Sequence, residues 1–552
     1  MADVVSNHRG VTQLAERGPR PDRVKARRAA RWVARFCVAA QVLVVSVGYA
    51  QVQAQETAAA PPQAWKRDLR LDLGLVISDN VLLQGRGNER ADVVFRTAPS
   101  IGLRRTTGRL RFDGRYSPVI LGYLNDALEE SLFNVLNAKA TYELVDNRAF
   151  IDAKAFMNQT FLSPFGSQPA EFATGTFNRI EVRTFSVSPF ITGSLAGGGR
   201  YRIRNDNSYT SFAAQSAFSI TTTGVSGEVS GSRGSLISLG ADGAYSLSSY
   251  GSGAELLNQS ANVRATLNAS QEFVPYVTGG YESNEFFLAL FQGPRYGGGF
   301  KWLPSPRTAV DFKIEKRYFG TSVDLNASYR TRLSLWSLRA YRTDRITPAA
   351  GGFGVASLST RDFLSDLLRT QFADEAERQI AVERLLSAGL FPSTLSQQAA
   401  LASPRVLLVE GVEPSVALTG VRNTGLATIF WRRNSPLSGN GSVNVTDIFN
   451  TINAFEQVGF SLTWSHKLTP QTSASTGVDW FDTKSVGANA FQPASLRTDQ
   501  SVFRFFLTKD LAADTSVTAG IRFTRLSAES SVGPTTDARE RALQFGVVHK
   551  FF

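Results

Sequence analysis

The chain holds one cysteine and three histidines in 552 residues. Cys37 falls in an N-terminal segment read below as removed, which excludes a disulfide framework, a thiolate nucleophile and a cysteine metal site from the mature protein. His8, His466 and His549 are too few and too scattered for imidazole acid-base or metal chemistry. No run approaches the ~20 consecutive apolar residues of a transmembrane helix, so any membrane crossing has to be made of strands. A G-x-S-x-G elbow is also missing. Ser465-His466 is the one tempting serine-histidine pair, and neighbours along a strand point to opposite faces and cannot easily share a proton. The expectation is therefore a non-enzymatic protein with no catalytic, cofactor-binding or metal-binding residues.

A net charge of +12 resembles a nucleic-acid footprint, but nine Arg or Lys against three Asp or Glu in residues 1–54 supply +6 of it. The rest is spread along the chain rather than gathered into a stripe, so no nucleic-acid partner is expected.

The N-terminal segment reads as a basic region through Arg35, an apolar run from Phe36 to Val47 and a small-residue site at Val52-Gln53-Ala54, with Ala50 as an alternative. That order is a secretory signal peptide over residues 1–54. Its long basic region points to a translation start further downstream, near Val24. "QETAAAPPQAW" follows as an Ala/Pro periplasmic linker over 55–66.

From residue 67 to 552 the chain reads as strand after strand of about 10 to 14 residues. In "GRLRFDGRYSP", Leu110, Phe112, Gly114 and Tyr116 oppose Arg109, Arg111, Asp113 and Arg115. In "AVDFKIEKRYF", Val310, Phe312, Ile314 and Tyr318 oppose Asp311, Lys313, Glu315 and Arg317. Globular strands average about 5 or 6 residues, whereas tilted membrane strands need about 9 to 11. A charged side chain facing mid-membrane lipid costs about 2–4 kcal/mol, so the charged face must line a watery lumen. Arg109, Arg111, Asp113, Arg115, Asp311, Lys313, Glu315 and Arg317 are the candidate lumen-lining residues, either selecting charge or merely bracing and hydrating the wall. The rings of Tyr318-Phe319 and Phe505-Phe506 read as lipid-facing.

Tight turns near Thr106-Thr107, Asp146-Asn147, Gly197-Gly198, 232–234, Ser270-Gln271, 303–306, Thr331, Asn423-Thr424, Thr469-Pro470 and 511–514 alternate with longer links, the link near Gly320 being the short exception. This layout predicts an all-β fold, a transmembrane antiparallel β-barrel of about 22 strands (range 20–24) in the bacterial outer membrane, with both termini periplasmic. One extracellular connection, 344–412, is long, and within it 359–388 has helical period: Leu364, Leu368, Phe372, Ala376 and Ile380 recur every four residues. A folded cap or inward plug is expected there, against a solvated loop as the alternative.

"SDNVLLQ" at 78–84, "DVVFRTAPSIGL" at 92–103, "LVDNRAFIDA" at 144–153, "ERLLSAGL" at 383–390 and "GVRNTG" at 420–425 occur in the order of a known family. From about residue 65 onward the chain resembles the outer-membrane β-barrel proteins associated with PEP-CTERM/exosortase systems. The resemblance implies Gram-negative envelope company and a link to exopolysaccharide production, and it brings no catalytic residues. The functional expectation is transport across the outer membrane, of exopolysaccharide or a related envelope component. The alternative is a structural scaffold or binding barrel for an envelope partner or surface polymer. Expected partners are outer-membrane lipid, the barrel-assembly machinery and exopolysaccharide or other envelope proteins.

The chain ends "LQFGVVHKFF". Gln544, Gly546, His549 and Phe551 are similar in spacing to the closing-strand signal of outer-membrane proteins, with Phe552 one residue past the usual stop. The segment is expected to pair with the first strand and close the barrel.

Overall fold

A computed structural model describes residues 65–551, except 170, 196, 214–217, 232–233, 252–254, 287–288, 438–453, 488–494 and 532–534. Within 347–405 it describes Leu364, Ser365, Leu368, Arg378 and Val382. The expected signal peptide, nearly all of the linker, and Phe552 lie outside the described residues.

The strands are β1 (Lys66–Ser78), β2 (Asp92–Thr106), β3 (Leu110–Tyr123), β4 (Ser131–Val145), β5 (Ala149–Phe161) and β6 (Arg179–Ser194). Next come β7 (Arg200–Ala213), β8 (Phe218–Ser230), β9 (Ile237–Tyr250), β10 (Glu255–Leu267), β11 (Phe273–Phe286) and β12 (Ala289–Ser305). Then follow β13 (Thr308–Arg317), β14 (Gly320–Arg330), β15 (Ser334–Ile346), β16 (Val406–Thr419) and β17 (Asn423–Pro436). The last five are β18 (Ala454–Lys467), β19 (Thr472–Val486), β20 (Leu496–Asp510), β21 (Thr515–Ser530) and β22 (Thr536–Lys550). Consecutive strands pair antiparallel in one 22-stranded sheet. The sheet closes where Arg70–Ser78 of β1 pairs with Lys550–Ala542 of β22. One residue further, the Phe551 N–H donates to the Leu69 carbonyl at 2.9 Å. An even strand count brings both ends of the barrel to one rim, called here the terminal rim.

The two faces of the wall are inverted relative to a soluble protein. Along β22, Leu543, Phe545 and Val547 are 47%, 49% and 41% exposed, while Glu540, Ala542 and Gln544 between them are buried. Exposed apolar side chains recur on the outward face all round the barrel, among them Ile203, Val277, Ile314 and Ile429. Near the terminal rim they give way to exposed Trp302, Tyr329, Trp336 and Trp464, an interfacial aromatic girdle. His549 and Phe551 continue the outward face of β22, their rings edge-on at 4.6 Å. Gln544 and Gly546 face inward. Ser465 and His466 fall on opposite faces, with Ser465 buried and His466 stacked on Trp464.

The described terminal-rim turns fall near where turn chemistry puts them, with two corrections. Of the turn expected at 303–306, residues 303–305 are still in β12 and the turn is 306–307. Asn147, in the Asp146-Asn147 turn, has φ 57°, a left-handed conformation that asparagine tolerates. Asn423 and Thr424, however, are already in β17, and the turn is 420–422. It is closed by the Gly420 N–H donating to the Asn423 carbonyl. The opposite rim departs further from the expected layout. Links 214–217, 251–254, 287–288 and 531–535 are as short as other hairpin turns, so Gly320 is not the lone exception. There the ladder runs on to the rim, and inward-facing Phe212, Ile220, Tyr250, Leu256 and Phe286 form one buried apolar cluster that holds the strand ends together.

Leu543 sits midway along β22 on the outward face. Leu543→Arg is expected to lose about 2–4 kcal/mol of stability, read as a lower urea midpoint of the barrel in lipid vesicles.

Candidate functional site

The charged residues singled out on β3 and β13 fall into two sets by their partners. Arg109, in the turn before β3, pairs with Asp146 at 3.0 Å, and on β3 Asp113 pairs with Arg104 at 2.8 Å and Arg115 with Asp68 at 2.8 Å. Arg111 has no ion pair among the described residues. Arg109 and Asp146 are 61% and 74% exposed, and exposed pairs contribute about 0–1 kcal/mol. These side chains therefore mainly charge the lumen surface. On β13 the balance differs. Glu315 accepts from Arg295 at 2.6 Å and Lys313 at 2.9 Å, and Arg317 bridges Glu282 at 2.8 Å and Asp344 at 2.5 Å. Arg317, Glu282 and Asp344 are nearly all buried, so this set braces the wall. Asp311 meets Lys301 at 3.4 Å in the open.

Two glycines make the cross-strand reach possible. Asp68, Gly102 and Arg115 lie side by side on β1, β2 and β3, and a Cβ on Gly102 would come within 3.2 Å of the Asp68 side chain. Thr278, Gly297 and Glu315 repeat the arrangement on β11, β12 and β13, and the Thr278 hydroxyl donates to Glu315 at 3.0 Å. A Cβ on Gly297 would lie 2.1 Å from the Ile314 carbonyl oxygen.

Tyr318 corrects one expectation. Its hydroxyl donates to Asp344 at 2.9 Å and its ring packs on Phe286 and Phe291, so it faces inward, drawn there by a buried carboxylate. Of Phe505 and Phe506, only Phe505 faces lipid, because Phe506 is on the inward face and lines a cavity of about 200 Å³ with Asp72, Arg96 and Glu171.

The main feature not anticipated is the link between β5 and β6, residues 162–178, which folds into the barrel. Phe165 packs edge-on against Phe455 of β18 at 6.2 Å, and its carbonyl accepts from the Thr498 hydroxyl at 2.8 Å. Gln168 and Gln500 of β20 exchange two hydrogen bonds, at 3.2 and 2.9 Å. Glu171 accepts from Arg522 of β21 at 2.7 Å and from Gln544 of β22 at 2.5 Å. The Arg522 guanidinium also donates to Glu540 at 2.8 Å and to the Thr174 hydroxyl at 2.6 Å. Phe172 stacks on Phe133 of β4 at 5.3 Å. Arg179, at the foot of the loop, donates to the carbonyls of Pro169, Glu171 and Phe172 and so fixes the loop's return path. Leu162, Phe165 and Phe172 each pack on a different apolar cluster of the inner wall. The loop thus crosses the inner face from β18 to β4. Gln544, expected as part of a closure signal, also anchors it.

The helical connection, observed as 347–405, is helical at all five described positions, and Leu364, Leu368, Arg378 and Val382 are buried. Arg378 donates to the Ser365 hydroxyl at 3.2 Å. One straight helix would hold these residues about 20 Å apart at 1.5 Å per residue. Ser365 and Arg378, both helical, therefore do not lie on one straight helix as the period over 359–388 suggests. Phe372, Ala376 and Ile380 lie outside the described residues.

A closed barrel with lipid-facing apolar side chains, an aromatic girdle and a charged interior defines the class: the protein is an outer-membrane β-barrel. No protein-family model matches the chain, and no curated protein matches it. Among solved structures it is similar to the siderophore receptor PirA from Acinetobacter baumannii, at 9% identity over 88% of this chain and 80% of that one, with a TM-score of 0.45. It is also similar to a mutant of the ferric enterobactin receptor PfeA from Pseudomonas aeruginosa, at 10% identity over 90% and 82%, with a TM-score of 0.45. The FrpB iron transporter from Neisseria meningitidis is similar at 10% identity over 89% and 83%, with a TM-score of 0.38.

Arg522 and Glu540 are 3% and 1% exposed. Arg522→Met, which strands Glu540 without a cation, is expected to cost about 3–5 kcal/mol. Adding Glu540→Leu should recover most of that loss, read by urea unfolding in vesicles.

Proposed function

We propose that this barrel conducts a polar solute across the outer membrane, with the terminal rim in the periplasm and the 162–178 loop narrowing the passage. The observation that carries the reading is the division of the lumen. The loop is pinned by charged and amide groups against β18 to β4, while the adjoining wall, β5 to β9, retains a groove of about 840 Å³ lined by Ser, Thr, Asp and Arg side chains. A wall of hydroxyls and charges has affinity for hydrated or polyhydroxylated solutes and rejects apolar ones. Exopolysaccharide, the cargo implied by the family resemblance, has that chemistry. The barrel-assembly machinery is the partner the closing strand would meet.

A scaffold that captures an envelope partner through the helical connection is the second reading. It is supported by the burial of Leu364, Leu368 and Val382 in a segment this long.

Replacing residues 166–176 by a short Gly/Ser bridge should raise single-channel conductance in planar bilayers at least twofold while the heat-modifiable barrel persists. A wild type and a deletion variant that both fail to conduct would refute the transport reading and leave the scaffold.

A further inference from the structure

The lumenal groove on β5 to β9 holds an arginine that the barrel does not use for itself. Most charges in the groove are already satisfied. Arg204 bridges Asp152 at 2.7 Å and Asp206 at 2.6 Å, and Asp242 accepts from Asn262 at 2.9 Å. Arg202 is different. It lies directly across the ladder from Glu228, yet the two form no ion pair. Its guanidinium rests over the Phe190 ring, 4.4 Å from the centroid, and its Nε is buried without a hydrogen-bond partner. Phe190 is itself fixed by stacking on Phe150 at 5.0 Å. An arginine held on an aromatic face keeps its planar donor edge available, the arrangement that recognises a carboxylate bidentately.

The rest of the groove states what else the ligand must be. Towards the opposite rim from Arg202 the wall is a field rich in hydroxyls, including Thr210, Thr222, Ser226, Ser246 and Ser248, with Asp206, Asn207 and small residues such as Gly243 and Ala244 among them. Each hydroxyl both donates and accepts, so the field matches a ligand that also presents many hydroxyls. From Asp242 to Ser248 the groove follows six residues of β9, about 20 Å at ~3.3 Å per residue, which suits an extended chain better than a compact solute. No large apolar side chain lines it. Glu228, free of any ion pair among the described residues, is placed to accept from a ligand hydroxyl.

We infer that this groove is a binding site for an acidic oligosaccharide segment, with Arg202 taking a sugar carboxylate and the hydroxyl field taking the neighbouring rings. The inference deepens the transport reading by naming its substrate class, but binding in the groove does not require an open pore. Two measurements on the full chain separate the two ideas. Calorimetry in detergent micelles reads binding alone, and current block in planar bilayers reads binding within a conducting lumen. The probes are tetragalacturonate, the uncharged maltotetraose and inorganic sulfate.

Tetragalacturonate is expected to bind at least tenfold more tightly than either maltotetraose or sulfate. Arg202→Gln should remove at least tenfold of that affinity, and Arg202→Lys should recover only part of it, because an ammonium lacks the fork. Val225→Ala, on the outward face of β8 and away from the groove, should leave the preference in place. Equal binding of maltotetraose would overturn the assignment of Arg202 to a carboxylate. Equal binding of sulfate would overturn the saccharide and leave a simple anion site. Tetragalacturonate binding by calorimetry in a barrel that passes no current would sustain the inference and refute the transport reading. An Arg202→Gln barrel that shows the wild-type heat-modifiable shift but unchanged tetragalacturonate affinity would sink the inference.

Discussion

The hydrogen-bond ladder between β1 and β22 is the constraint on which everything else depends. In hydrocarbon an unpaired backbone amide or carbonyl costs several kcal/mol, and an open sheet of 22 strands would expose two full edges of them. Pairing Arg70–Ser78 with Lys550–Ala542 removes both edges at once. Above that seam Asn80 donates to the carbonyls of Gln84 and Arg539, and Asp79 accepts from the Arg541 N–H, so the first link finishes the closure where β1 ends. Phe551 belongs to this seam. Phe551 makes its last backbone bond, and its ring sits on the lipid side beside His549.

Closure fixes the inside as much as the outside. Once one face of every strand is given to lipid, the other must hold all the charged residues in a confined volume. The structure accommodates them by pairing across strands, sometimes across two ladders with a glycine between. Depth then decides what a pair does. Arg317, Glu282 and Asp344 are too dry to separate cheaply and act as bracing, whereas Arg109 at the rim and Arg111 on β3 stay exposed to water.

This explains which parts of the molecule could be read from the residues. Strand number, facing and closure follow from a period of two sustained over lengths that lipid dictates, and a local pattern suffices to see it. The lumen face of Asp113 or Lys313 was legible for the same reason. Their partners were not, because Asp68 and Arg115 meet only through the register of three strands. The inward loop was hidden most completely. Gln168 and Gln500 are 332 positions apart, and Glu171 and Gln544 are 373 apart. "FLSPFGSQPAEFATGTFN" has the composition of any surface loop. The helical connection misled differently. A four-residue period records which residues are apolar on a helix but not which tertiary contacts they make, and the Ser365–Arg378 hydrogen bond is one that no straight helix would allow.

The inward loop also gives the lumen a direction it would lack as a plain cylinder. Because 162–178 is tethered at β5 and β6 but anchored on β18 to β22, it lies along one side of the inner wall. Beside it, on β5 to β9, is a groove lined mainly by hydroxyls and charged side chains. On the proposed transport reading, a solute would meet the polar groove of β5 to β9 rather than a ring of charges around the circumference. Arg111 on β3 and Arg109 in the turn before it would set the field near the terminal rim, and the groove what the solute touches.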